Sequence, residues 1–279
     1  MDLRDLADAF TADLRATRSK NTAEAYGQWS RRFAAHVGTA EALAPDSIQR
    51  FVVHLAESEV APRSVRLAVS ACRKFVGWLE RRGHAVPNPG PVETAIPEEP
   101  PRWTPTDAEV DRLVARCWRI RPPDGAALAL LPYTGMRISE LLELTFDDVE
   151  VRQDGAVVFT IRHSKTHRGR RAPLMPEGAR YLRNYLIRVR PGRPGASGAD
   201  LFPGLPGGRK RTERHLRDIR AGVGMPQLTH HALRRWFVRA MRRRGASDSD
   251  VAKIIGHVNL QTFLDYYQPE DDDLVRAVT

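Results

Sequence analysis

Along the first third of the chain, apolar residues recur at spacings of three and four, the period of a helix with one buried face. The clearest stretch follows Pro62. Counted at 100° per residue from Arg63, the residues Val65, Val69, Cys72, Val76 and Leu79 fall between about 160° and 240°. Arg63, Arg66, Arg73 and Lys74 fall outside that arc, between about 280° and 20°. One face packs and the other presents cations. Such a stripe suits a solvated helix surface as well as a phosphate-contacting one, and the pattern alone does not choose. Upstream, Asn21-Thr22 offers an N-cap for a helix from Ala23 to His36, and Pro45-Asp46-Ser47 opens another through Leu55.

The periodicity stops where proline accumulates. Pro87-Asn88-Pro89-Gly90-Pro91, followed by Ile96-Pro97-Glu98-Glu99-Pro100-Pro101, suits neither a helix nor a central strand. A semi-extended linker over residues 87–102 therefore separates a helical domain, residues 1–86, from a second domain, residues 103–279. In the second domain, Thr106-Asp107 caps a helix through Arg119, and an apolar helix from Asp124 leads to Thr134-Gly135. Period-two patterning predicts strands from Phe146 to Val151, from Ala156 to Arg162 after an Asp154-Gly155 turn, and from Arg170 to Met175. The run His163 to Gly169 reads as a polar loop. Helices resume at Pro176 and again from Lys210, past a Pro/Gly-rich loop from Pro191 to Gly198. The fold class is mainly α, with one small antiparallel sheet in the second domain.

Composition narrows the function. A chain of 279 residues with 42% hydrophobic content is long enough for two domains and can bury a sizeable core. The net charge of +10 points to a polyanionic partner, without separating nucleic acid from an acidic membrane face or an acidic protein. No apolar run approaches the roughly 20 residues that span a bilayer, and Met1-Asp2-Leu3-Arg4-Asp5 lacks the order of a secretory signal. Cys72 and Cys117 stand in no metal or redox spacing, which fits a reducing compartment. The expectation is a soluble, cytoplasmic protein.

Four segments of the second domain carry candidate chemistry. In Thr134-Gly135-Met136-Arg137-Ile138-Ser139-Glu140-Leu141, a glycine lets the backbone turn into a helix, and Arg137 and Glu140 share a face of its first turn. In His231-Ala232-Leu233-Arg234, an imidazole and a guanidinium point the same way. In Ile255-Gly256-His257, a histidine follows a helix-ending glycine. Tyr266 stands nine residues beyond His257, beside Tyr267. Taken singly, these also suit a surface ion pair, an ordinary helix face and core packing.

Taken in order, Arg137, His231-x-x-Arg234, His257 and Tyr266 resemble the catalytic signature of the tyrosine recombinases and phage integrases. In that family the first arginine follows Thr-Gly-Leu/Met and precedes Ser/Gly-Glu-Leu, as Arg137 does, and Leu-Gly-His precedes the tyrosine by nine positions. The family also carries a lysine in a β-hairpin, eight residues before Pro-Leu, and Lys165 in Ser164-Lys165-Thr166 stands eight before Pro173-Leu174. Asn21-Thr22, Tyr26 and Phe33 are similar to the family's helical core-binding domain. The resemblance spans nearly the whole chain and is strongest from Thr134 to Tyr267. Three departures stand out: Arg235-Trp236-Phe237 replaces the family's usual histidine and small residues, Lys165 lacks flanking glycines, and His230-His231 and Tyr266-Tyr267 each offer a one-residue alternative.

The resemblance implies a DNA recombinase that joins Tyr266 to a 3′-phosphate, on double-stranded recombination sites, as a homotetramer spanning two duplexes, with no metal or other cofactor. Arg137 and Arg234 would hold the phosphate oxygens. His231 would assist proton transfer, and His257 would hydrogen-bond the phosphate. Glu140 would orient Arg137. Lys165, one of only five lysines among 44 basic residues, would protonate the leaving oxygen, which an arginine cannot do. The Arg63, Arg66, Arg73 and Lys74 face would bind DNA. A type IB topoisomerase uses nearly the same chemistry, and a non-catalytic DNA-binding protein could share the scaffold.

Overall fold

The computed structural model describes residues 2–95, 102–119, 124–162, 169–189, 191, 199–202, 208–257 and 259–267. The chain divides into two compact units, Met1–Pro100 and Pro101–Thr279, each with its own hydrophobic core.

The first unit is helical: α1 (Leu3–Thr17), α2 (Lys20–Val37), α3 (Ser47–Glu57) and α4 (Pro62–Arg81). Its starts are set by local caps. Asp2 accepts from the Arg4 N–H at 2.8 Å. The Ser19 hydroxyl accepts from the Thr22 N–H at 3.4 Å, so α2 begins before the expected Asn21-Thr22 cap and both residues lie inside the helix. The core gathers Phe10, Phe33, Phe51, Phe75 and Leu79. On α4, Arg63, Arg66, Arg73 and Lys74 are all exposed. Its buried arc is wider than periodicity predicted, because Ala68, Ala71, Phe75 and Trp78 also turn inward, extending it to about 60°. The polar edge of Trp78 is satisfied by Asp13, which accepts from its Nε1 at 2.8 Å and from Arg82 at 2.6 Å. The proline-rich stretch begins folded against this unit: Gly90 donates to the Pro45 carbonyl at 2.9 Å, the Glu93 N–H donates to Gln49 Oε1 at 2.8 Å, and Val86 and Val92 pack on the core.

The second unit is built around α6 (Asp124–Thr134). Residues from Ala126 to Leu131 are buried on every face of this helix, as expected of one apolar all round. Against it pack α5 (Asp107–Cys117), α8 (Pro176–Asn184) and α10 (His230–Arg243). Helix α5 opens with a reciprocal cap: Thr106 N–H donates to Glu109 Oε2 at 2.7 Å, and Glu109 N–H to Thr106 Oγ1 at 3.3 Å. It ends at Cys117, two residues short of the predicted Arg119. The remaining helices are α7 (Ile138–Leu142), α9 (Gly208–Gly222), α11 (Asp248–Ile255) and α12 (Leu260–Tyr266).

The sheet has three antiparallel strands in the order β1 (Val149–Val151), β2 (Val157–Ile161), β3 (Arg170–Pro173), paired Val149↔Phe159, Val158↔Pro173 and Ile161↔Arg170. The fold is thus mostly helical with one small antiparallel sheet, as the sequence predicts. The first strand is shorter than expected. Asp148 Oδ2 accepts from the Thr145 N–H at 2.9 Å and its hydroxyl at 2.7 Å, which winds Phe146–Asp148 into a 3₁₀ turn. Among the described residues, no helix is long and apolar enough to cross a membrane.

Candidate active site

The turn between α6 and α7 carries Arg137. Gly135 has φ +59°, a left-handed conformation. A Cβ there would lie 2.4 Å from the Phe237 ring, so α10 meets the turn on bare backbone. The sequence placed Arg137 within the first turn of α7, but it is the N-cap, with extended backbone at φ −73° and ψ 147°. The reason is Glu140, whose Oε2 reaches back to the Arg137 N–H at 2.8 Å while Oε1 accepts from Arg137 Nη1 at 2.8 Å.

Glu140 has a second partner. Arg170 of β3 donates from Nη1 to Oε1 at 3.0 Å and from Nη2 to Oε2 at 2.7 Å. The carboxylate, 3% exposed, thus accepts four N–H groups, filling its acceptor sites. Burial alone would push its pKa up. The Arg170 fork and charge, the Arg137 N–H and the Arg137 charge outweigh that and hold it below its ordinary value.

Arg234 projects from the first turns of α10, whose N-cap Thr229 accepts from the Ala232 N–H at 3.0 Å. It is 3% exposed and is held on three sides. Its Nη1 donates to the Gly135 carbonyl at 2.6 Å, its Nη2 to the Ile255 carbonyl, and its Nε to the Tyr267 hydroxyl at 3.1 Å. Burial, then the charge of Arg137, lowers its pKa, while Tyr267 and Glu140 oppose the shift. A guanidinium has five N–H groups, so two remain after these bonds. Arg137, Arg234, His230 and His231 line a cleft of about 340 Å³, with Arg217 and Arg220 of α9 on its wall. His231 is exposed at the mouth. A helix N-terminus beside guanidinium groups has the donors and the charge that suit an anion.

His257 follows Gly256, which ends α11 in the left-handed conformation at φ +73°. The His257 N–H donates to the Ala252 carbonyl at 2.9 Å. Burial first, then Arg234 and Arg137, lower its pKa to about 4, which favours the neutral imidazole at pH 7. Its ring lies 5.6 Å from that of Tyr267.

The structure therefore brings Arg137, Glu140, His231, Arg234 and His257 together. The backbone of Tyr266 closes α12, and its side chain lies outside the described residues, as does the whole of Lys165. Arg63, Arg66, Arg73 and Lys74 belong to the first unit. Sequence reasoning missed Arg170, whose only signal is a charged residue at the start of a half-buried strand. It also missed Arg217 and Arg220, readable as part of a basic run on α9. The departure at Arg235-Trp236-Phe237 has a packing explanation. Arg235 Nη2 donates to the Trp103 carbonyl at 2.6 Å, Trp236 Nε1 to Asp107 at 2.7 Å, and Phe237 covers Gly135.

Comparison with known proteins meets this geometry. The sequence matches the family model "Phage integrase family" over residues 105–273 and "Phage integrase, N-terminal SAM-like domain" over residues 7–83. A "Tyrosine recombinase XerC" of Methylobacterium nodulans is 28% identical, covering 99% of this chain and 92% of its own length. A "Tyrosine recombinase XerD" of Yersinia pestis is 30% identical, covering 78% and 75%. The fold is shared with the Tn1549 transposon integrase solved with transposon right end DNA, at TM-score 0.73 and 17% identity over 100% of this chain and 98% of that one. It is also shared with a lambda integrase tetramer bound to a Holliday junction, at TM-score 0.71 and 17% identity over 98% and 80%. Since the first of these family matches spans more than half the chain and includes every group that lines the cleft, the protein belongs to the phage integrase family, the tyrosine recombinases.

Proposed function

We propose that this protein is a site-specific DNA recombinase that cleaves and rejoins strands through a 3′-phosphotyrosyl bond. The observation that carries the reading is the convergence of Arg137, His231 and Arg234 on one cleft at the N-terminus of α10. Phosphodiester transfer requires charge stabilisation on two non-bridging oxygens, and the two guanidinium groups supply it without losing a proton. Tyr266 attacks the phosphorus with its phenolic oxygen, His231 takes up the phenol proton, and the 5′-oxygen departs with a proton from Lys165. His257, neutral at pH 7, hydrogen-bonds the phosphate. The phosphotyrosyl ester retains the energy of the broken bond, and attack by the 5′-hydroxyl of a second duplex reverses the step. The named relatives are recombinases, which is the ground for preferring strand exchange to relaxation by a type IB topoisomerase. The proposal extends to a homotetramer on two DNA duplexes, acting in the cytoplasm on the recombination sites of a mobile element.

One observation favours an exchange of roles between adjacent tyrosines, since it is Tyr267 whose hydroxyl accepts from Arg234. A DNA substrate nicked near the cleavage point separates the two. Wild type and Tyr267→Phe are expected to trap a covalent adduct and Tyr266→Phe none; an adduct mapped to Tyr267 by peptide mass spectrometry overturns the assignment. In the same assay Lys165→Arg cleaves roughly 10²- to 10⁴-fold more slowly, the usual worth of general acid catalysis. A substrate whose bridging 5′-oxygen is replaced by sulfur expels a thiolate that needs no proton and restores that rate. Failure of sulfur to restore it would make Lys165 a DNA contact instead.

A further inference from the structure

Arg170 stands outside the set just described and is held by three hydrogen bonds. Its side chain is 9% exposed, and it joins three elements of the second unit. From β3 it grips both oxygens of Glu140, and its Nε donates to the Ile254 carbonyl at 2.8 Å. The next carbonyl, that of Ile255, accepts from Arg234. Two consecutive carbonyls at the C-terminus of α11, which have no partner within the helix, are thus each taken by an arginine, partly buried Arg170 and buried Arg234. The chain then turns directly over the Arg170 guanidinium. A Cβ on Gly256 would lie 3.0 Å from its Nη1 and 3.1 Å from its Cζ, and the following residue is His257. Arg170 therefore lies beneath both Arg137, through Glu140, and His257, through the backbone of α11.

The charge count gives this support a second consequence. Glu140 is a single buried anion with two guanidinium partners. If Arg137 were its only partner, the two charges would cancel and the fork of Arg137 would be spent on the carboxylate. With Arg170 also bound to Glu140, the cluster of two guanidinium groups and one carboxylate keeps one net positive charge, and Arg137 is the partner that lines the cleft.

We infer that Arg170 is a positioning residue that fixes Glu140 and the α11 terminus beneath Arg137 and His257 and leaves the charge of Arg137 free for the phosphate. The inference rests on the recombinase reading, and the test keeps the two apart. Single-turnover cleavage of the nicked substrate at saturating protein, with DNA affinity measured in parallel, is compared for wild type, Arg170→Gln, Arg170→Lys and Arg170→Gln/Glu140→Gln. Arg170→Gln is expected to cleave about 10- to 100-fold more slowly, the scale of a misplaced catalytic group, with its Kd within about threefold of wild type. Arg170→Lys recovers part of the rate. The double variant cleaves faster than Arg170→Gln, because removing the carboxylate releases Arg137; a purely structural arginine predicts the opposite order. Wild-type rates in Arg170→Gln, a rate loss matched by an equal loss of affinity, or a double variant no faster than the single each overturn the inference. If Arg170→Gln does not fold, Arg170→Lys against Arg170→Lys/Glu140→Gln provides the same ordering and the same reversal. Absence of an adduct with wild type overturns the recombinase reading itself.

Discussion

Gly135 shows how one residue can hold a site together. Its φ of +59° is one that a Cβ disfavours, its missing side chain makes room for Phe237, and its carbonyl anchors Arg234 at 2.6 Å. Alanine at this position meets a left-handed backbone, costing about 1–2 kcal/mol, and an aromatic ring 2.4 Å away, where overpacking costs about 1–3 kcal/mol. Gly135→Ala is therefore expected to lose roughly 2–5 kcal/mol in chemical denaturation. Adding Phe237→Leu, which draws the ring back, recovers part of that loss. Stability within about 0.5 kcal/mol of wild type, the ordinary surface range, would mean that the close approach carries no constraint.

At the scale of elements, α10 works on two faces. Arg234 and His231 turn to the cleft, while Arg235, Trp236, Arg239 and Arg243 hold the incoming segment at Trp103, Pro105 and Asp107. Helix α4 divides differently, with a buried apolar arc and a bare cationic face. Among the described residues none forms an ion pair with Arg63, Arg66, Arg73 or Lys74, and all four are exposed, which is why a DNA contact is proposed for them. If each meets one phosphate, replacing all four with alanine lowers the slope of log K against log salt by up to about 3.6 units, since each neutralised phosphate contributes about 0.9. The residues are exposed, so thermal stability is expected to hold. An unchanged slope would return the face to an ordinary solvated surface.

At the scale of the whole molecule, the proposed reaction sets the assembly. Strand exchange between two duplexes, each with two half-sites, would call for four protomers, and we propose that a head-to-tail contact closing on itself supplies them. The segment from residue 269 to 279 begins with Glu270 to Asp273 and continues with Leu274, Val275 and Val278, an acidic and then apolar order suited to docking on a basic neighbour. Deleting it is expected to spare binding to a single site and to abolish pairing of two sites in light scattering. Full recombination by the shortened protein would remove the segment from the assembly.

The sequence by itself determined the helical first unit, the small sheet, the order of the elements and the candidate residues Arg137, His231, Arg234, His257 and Tyr266. The elements follow from short-range regularities, namely helix and strand periods and caps, whereas the candidate residues come from the resemblance of their order and spacing to the tyrosine recombinase signature. Boundaries slipped where a side chain competed for the backbone, as Ser19 did at α2 and Asp148 before β1. Only the tertiary structure decided that Arg234 spans from Gly135 to Ile255 and Tyr267, and that Arg170 reaches Glu140 and Ile254. Those bonds join residues between 21 and 99 positions apart. Periodicity carries no information at that range; such partners are chosen by burial, where a cation must find every acceptor it needs from whatever part of the chain the core brings to it.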